Sequence, residues 1–163
     1  MGNVNFKPSK DFKELADKIF QEQRKRILKL VPSAGVEHIG SSAIADSITK
    51  GDLDLNVRVP GEDFKSAVEK LKSIYQINQP ENWTNNFASF KDDGNFELPL
   101  GIQLTVKGSE YDDFVALRDL LVSSPKLLEE YNQMKLKYEG KEMDEYRKEK
   151  SEFFEKLRGI LKS

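Results

Sequence analysis

The sequence predicts an α/β chain of the α+β kind, a mixed sheet with packed helices and a helical C-terminal segment. Three patterns carry that prediction. Apolar residues recur at helical spacing from Asp11 to Leu30, Asp52 to Val59 alternates strictly between apolar and polar, and the helical period returns from Tyr111 onward. The 163 residues are enough for one domain that buries a sizeable core, so residues 1–163 are expected to form a single unit, with an N-terminal helix in 1–30 and C-terminal helices in 110–163.

In the first helix Phe12, Leu15, Ile19, Phe20, Ile27 and Leu30 fall near one face, Asp11 stands near its start, and Pro32 ends it. A short apolar run, Val36 to Ile39, leads into Gly40-Ser41-Ser42. In the next segment Leu53, Leu55, Val57 and Val59 point one way and Asp52, Asp54, Asn56 and Arg58 the other, which predicts a strand with a core side and a polar side. Pro60-Gly61 closes it, and Phe64, Val68 and Leu71 mark a helix over Glu62 to Ser73. Lys91-Asp92-Asp93-Gly94 is expected to turn a hairpin between strands near Trp83–Phe90 and Phe96–Val106, with Pro99 and Gly101 signalling a bulge or an edge. Helices follow over Asp112–Val122, from Pro125 to about Tyr138, and over Met143–Leu161.

Composition narrows the chemistry. Twenty-six Lys and Arg against 28 Asp and Glu leave a net charge of −2, so no overall positive field draws the chain to nucleic acid or to an anionic membrane. Without cysteine and with one histidine, any metal must be held mainly by oxygen. No segment has the length and apolarity of a membrane span or of a signal-peptide core, and the expected location is cytoplasmic. There is no Gly-x-x-x-x-Gly-Lys-Ser/Thr loop, which excludes P-loop chemistry.

One segment concentrates reactive groups. Asp52 and Asp54 sit at i and i+2 of the predicted strand, about 7 Å apart along the chain on one face. At an effective dielectric near 20 their repulsion is roughly 2 to 4 kcal/mol, which a divalent cation between them offsets. Aspartates together with substrate phosphates are a common way to hold Mg2+. Upstream, with ten residues between Ser41 and Asp52, Gly40 allows close backbone approach to a phosphate, Ser41 or Ser42 can donate to it, and a short helix beginning near Ala43 would aim its amides at the same anion.

Gly40-Ser41 followed at this distance by Gly51-Asp52-Leu53-Asp54-Leu55-x-Val57 resembles the signature of the nucleotidyltransferase superfamily. The longer string Val36-Glu37-His38-Ile39-Gly40-Ser41-Ser42-Ala43-Ile44 with Lys50-Gly51-Asp52-Leu53-Asp54 is similar to its GrpB family. Val106-Lys107-Gly108-Ser109, Leu117-Arg118-Asp119, Tyr131, Lys135, Tyr146, Lys150 and Phe153-Phe154 continue that likeness. The resemblance implies a nucleotidyltransferase-like sheet bearing the metal carboxylates under a helical lid, Mg2+ or Mn2+ as cofactor, and a nucleoside triphosphate as substrate. It implies metal ligation by Asp52 and Asp54, and nucleotide contacts from Gly40, Ser41, Ser42, Lys50, Arg58, Arg118, Tyr146 and Lys150. The third acidic ligand usual in the superfamily is replaced. Where GrpB proteins commonly carry His-x-His this chain has Gln103 and Thr105, and Gln103 can orient a hydroxyl or a water but is no base.

Several residues keep two readings at this stage. His38 either fixes the turn structurally or contacts phosphate or relays a proton. Arg58 pairs with Asp54 or Glu37, or contacts substrate; Arg118 binds phosphate or pairs with a nearby acid; Tyr146 and Lys150, one helical turn apart, form a clamp or a packed core edge. The expected activity is Mg2+-dependent transfer of a nucleoside monophosphate group to a small-molecule or protein acceptor. The alternative is a degenerate module that only binds a nucleotide or phosphorylated metabolite. A nucleic-acid acceptor is the less favoured case, since no basic stripe runs along the chain.

Overall fold

A computed structural model describes residues 4–163. Helix α1 (Lys13–Leu30) follows a 3-10 turn at Ser9–Phe12, and α2 (Phe64–Lys72) follows another at Gly61–Asp63. The strands are β1 (Lys7–Pro8), β2 (Gly35–Ile39), β3 (Ile48–Thr49), β4 (Leu53–Val59), β5 (Gln76–Ile77), β6 (Phe87–Asp92) and β7 (Leu100–Val106). The chain ends in α3 (Phe114–Ser123), α4 (Pro125–Lys137) and α5 (Met143–Lys162). Ser124 caps α4 by accepting from the Leu127 amide, with Pro125 in the first turn where its missing N–H costs nothing.

Five strands form a mixed sheet in the order β2-β4-β7-β6-β5, in which only the central β4–β7 pair is parallel. The α2 crossover and the β5–β6 hairpin supply the length that a parallel return needs. The expected alternation in β4 holds: Leu53, Leu55, Val57 and Val59 are all fully buried against α1 and α2. The opposite face is covered as well, and Asn56 on it has no exposed surface. There the sheet meets a second apolar cluster, built by Leu117 and Leu121 of α3, Leu128, Tyr131 and Met134 of α4, Tyr146 and Leu157 of α5, and Val4 and Ile44.

Two expectations about the middle of the chain need correction. The β6–β7 connection runs over residues 93–99, longer than a tight hairpin, and Asp92 organises it by accepting from the Gly94 and Asn95 amides. Pro99 and Gly101 mark neither edge nor bulge. Strand β7 is central and its register runs unbroken, with Gly101 opposite Lys91 on one side and Asp54 on the other.

Candidate functional site

Between the polar face of the sheet and the helical cluster lies a cleft of about 380 Å³, within the size range of small-ligand sites. Its floor is Asp54. The carboxylate sits between two glycines: a Cβ on Gly40 would stand 2.7 Å from Oδ2, and one on Gly101 would stand 2.7 Å from Oδ1. Gly40 also has φ of +76°, a left-handed conformation that side chains disfavour. Both glycines therefore serve the aspartate, and the Gly101 part of that pairing was not readable from spacing. Burial, reinforced by the Asp52 charge, raises the Asp54 carboxyl to about 6 against the opposing pull of Lys150 and Lys50. Asp52 lies further out and pairs with Lys50 at 3.4 Å.

The Gly40–Ser41 turn is tied from several sides. The Ser47 hydroxyl donates to the Ser41 carbonyl at 2.5 Å and to the Ile44 carbonyl at 2.8 Å, and the Ser9 hydroxyl donates to the Ile44 carbonyl at 2.6 Å. The helix expected near Ala43 is only a three-residue 3-10 turn, Ser41–Ala43, and the Ala43 and Ile44 amides already bond to Gly40 and Ser41. Ser41 lines the cleft. Ser42 does not: its hydroxyl meets His38 Nε2 at 2.9 Å. His38 stacks on Phe20 at 5.6 Å, and burial lowers it to about 4, aided by Arg118 and Lys13. It is a neutral, structural histidine that fixes the turn.

Other expected residues divide in the same way. Lys50, Gln103, Arg118, Tyr146 and Lys150 line the cleft with the two aspartates. Gln103, opposite Asn56 in the β4–β7 register, lines the same cleft as Asp54, whereas Thr105 is buried and accepts from Asn56 Nδ2. Arg58 is displaced from the expected role. Its guanidinium makes a two-point bond to Asp112 at 2.6 and 2.8 Å, neither Asp54 nor Glu37 is its partner in a bond, and it does not line the cleft. That bond holds Asp112 below the usual carboxylate range. Arg118 pairs with the nearby acids Glu37 and Asp119 and donates to the His38 carbonyl at 2.9 Å, and it also lines the cleft.

Helix α5 projects Tyr146, Arg147, Lys150, Ser151, Phe154 and Arg158 toward the cleft, one face at spacings of three and four. Tyr146 is buried, and its ring lies 5.9 Å from the Lys50 ammonium and 5.8 Å from that of Lys150. Tyr131, then Tyr146, Asp54 and Asp52, raise Lys150 against the cost of its burial, so it is a firm cation facing the carboxylates. Lys135 had no assigned role. It has no exposed surface, donates to Ser41 Oγ and, at 2.5 Å, to the Ile48 carbonyl, and lies 3.9 Å from the centre of the Tyr131 ring. A lysine on the apolar face of a helix among Leu128, Tyr131 and Met134 is the signal that could have singled it out.

The family model described as GrpB protein matches residues 10–159. The chain belongs to the GrpB family. A UPF0157 protein of Vibrio cholerae is 31% identical over 157 residues, covering 96% of this chain and 83% of the relative. The crystal structure of GrpB from Enterococcus faecalis superposes with a TM-score of 0.69 at 17% identity, covering 90% of this chain and 94% of that one. The Cid1 poly(U) polymerase bound to MgGTP matches at 0.55 and 16% identity, over 79% of this chain and 42% of the polymerase. A cytoplasmic RNA terminal U-transferase matches at 0.52 and 17% identity, over 82% of this chain and 38% of that one. The fold is therefore nucleotidyltransferase-like, in a chain that spans under half of those larger enzymes.

Asp52 and Asp54 are the acids of the GrpB cleft. Among the described residues no group of three or more His, Cys, Asp or Glu side chains is arranged to hold a metal ion. Two carboxylates at i and i+2 would suit one hard cation only if water and phosphate oxygens completed its shell, since they do not make an all-protein cage. Among the described residues, no helix is long and apolar enough to cross a membrane.

Proposed function

We propose that this GrpB protein is a Mg2+-dependent nucleotidyltransferase that moves a nucleoside monophosphate group from a nucleoside triphosphate to a small-molecule or protein acceptor. The observation that carries the reading is the Asp54 carboxylate, held between two glycines at the floor of a cleft and faced by Lys150. Family membership and the nucleotidyltransferase-like fold support the reading, and the proposed location of the protein is cytoplasmic.

In this reading Asp52 and Asp54 (Mg2+ or Mn2+) hold the metal, and a bound cation supplies charge neutralisation on the phosphates. Ser41 donates to a phosphate oxygen, Lys150 and Lys50 neutralise the triphosphate, and the Tyr146 ring closes one side. Arg118 holds the strand behind the turn through the His38 carbonyl. Attack by an acceptor hydroxyl on the α-phosphorus forms the new P–O bond and breaks the bond to pyrophosphate, which leaves as the anion, while the hydroxyl proton passes to solvent water. Gln103 orients the acceptor by hydrogen bonding and removes no proton.

The test is calorimetric titration with ATP, GTP, CTP and UTP in the presence of Mg2+, for the wild type and Asp54→Ala. Binding of at least one nucleotide that Asp54→Ala abolishes is expected; four null titrations sink the reading. The presence of Gln103 in place of an acid favours a second reading, a module that binds a nucleotide or phosphorylated metabolite without turnover. Incubation with α-labelled nucleotides and cell extract separates the two, because label on any acceptor removes the second.

A further inference from the structure

We propose that Lys135 is a positioning residue of the cleft: from behind the Gly40–Ser41 turn its ammonium holds the Ser41 hydroxyl so that the hydroxyl proton faces the ligand, without touching the ligand itself. The role assigned to the ligand rests on the reading of the cleft as a nucleotide site.

The ammonium's three protons are accounted for by the protein. One goes to Ser41 Oγ, one to the Ile48 carbonyl, and the remaining side of the group faces the Tyr131 ring 3.9 Å away. Lys135 itself is fully buried and does not line the cleft, whereas Ser41 does. With the cation on one lone pair of Oγ, the hydroxyl proton is directed elsewhere, and among the described residues no protein acceptor takes it. The open direction is the cleft. An anion in front of the oxygen favours the charged form of the buried amine, whose positive charge in turn polarises the O–H toward that anion.

The energetics argue against a strut that only stabilises the fold. Taking an ammonium out of water without a carboxylate beside it is costly, and an apolar residue of similar length would fill the space more cheaply. Among the described residues Lys135 has no acidic partner within ion-pair distance, while Lys150 and Lys50 add repulsion and burial pushes the group well below the ordinary lysine range. An anion seated against Ser41 supplies the missing counter-charge. Retaining a lysine here makes sense where the turn has to be both rigid and electropositive.

The experiment compares wild type, Lys135→Met, Ser41→Ala and the double variant. Calorimetry with the four nucleoside triphosphates and Mg2+ reads affinity, and hydrogen exchange by NMR on the ligand-free protein reads the Ala43 and Ile44 amides. Each single change is expected to weaken nucleotide binding by about tenfold, and the double variant by no more than about twofold beyond the weaker single. Losses that multiply in the double variant overturn the proposal, because Lys135 would then reach the ligand independently of Ser41; wild-type affinity in Lys135→Met overturns it too. If the wild type binds no nucleotide, the nucleotide reading fails, and exchange decides on Lys135 alone. Faster exchange of both amides in Lys135→Met supports the positioning role, and unchanged exchange overturns it. Ser41→Ala leaves α4 intact and is expected to loosen the same amides, so the exchange test survives a Lys135→Met chain that does not fold.

Discussion

Gly101 faces Asp54 across the parallel β4–β7 ladder, so closely that one added methyl group would stand 2.7 Å from the carboxylate oxygen Oδ1. Gly101→Ala is therefore expected to push the Asp54 side chain out of its slot. Nucleotide affinity measured by calorimetry should fall by at least about tenfold, with about 1 to 3 kcal/mol of stability lost to overpacking. Unaltered affinity in a folded Gly101→Ala protein would mean that the position of this carboxylate is irrelevant to binding.

Asp54 works against the fold at neutral pH. Its carboxyl titrates near 6 in the folded protein and near 3.8 when unfolded, so the unfolded chain gives up the proton more readily. The native state is favoured below 3.8 and loses that advantage as pH rises through 6, a difference of at most about 3 kcal/mol. Asp54→Asn is expected to melt higher than wild type at pH 8 and close to wild type at pH 4. A melting temperature at or below that of wild type at pH 8 contradicts the argument.

His38 has the opposite sign. Its ring titrates near 4 when folded and near 6.5 when unfolded, so the unfolded chain binds the proton more readily. The stabilisation from a neutral ring is complete above 6.5 and disappears as pH falls through 4, an effect of at most about 3 kcal/mol. Chemical denaturation of wild type and His38→Gln at pH 7.5 and 5 should show the wild type losing more stability between those values. Parallel losses in the two proteins would show that His38 is not the group responsible.

Arg58 is a structural residue on this geometry. Removing its two-point bond to Asp112 in Arg58→Gln should cost about 1 kcal/mol, since the pair is partly exposed, and leave nucleotide affinity within about twofold. A large drop in affinity without a matching drop in stability would restore it to the site.

The contrast between Asp54 and Arg58 shows what local pattern can convey. Alternation placed both on the polar face of β4, and that is where both lie. Their fates depend on partners far along the chain, Gly101 for one and Asp112 for the other, which pattern within the strand does not specify. The helices were legible because amphipathic spacing and the Pro125 start are local signals. The central place of β7 was not: Pro99 and Gly101 look like edge residues until the neighbouring carboxylate explains the glycine. The role of Lys135 is of the same kind: its place on the apolar face of α4 hints at burial, but its bond to Ser41 depends on the packing of α4 against the Gly40–Ser41 turn.

The Val4 amide donates to the Lys141 carbonyl, the Gly140 amide donates back to Val4, and the Phe6 amide meets Glu139 across 133 residues of chain. Phe6 then packs edge-on to Tyr146 at 5.4 Å on the wall of the cleft. During synthesis this wall has no counterpart until α5 leaves the ribosome, so the sheet and its two aspartates can assemble well before any enclosure exists around them. Closing so long a loop is slow compared with local helix formation. A growing chain thus carries exposed acidic groups but no finished pocket until α5 has been made.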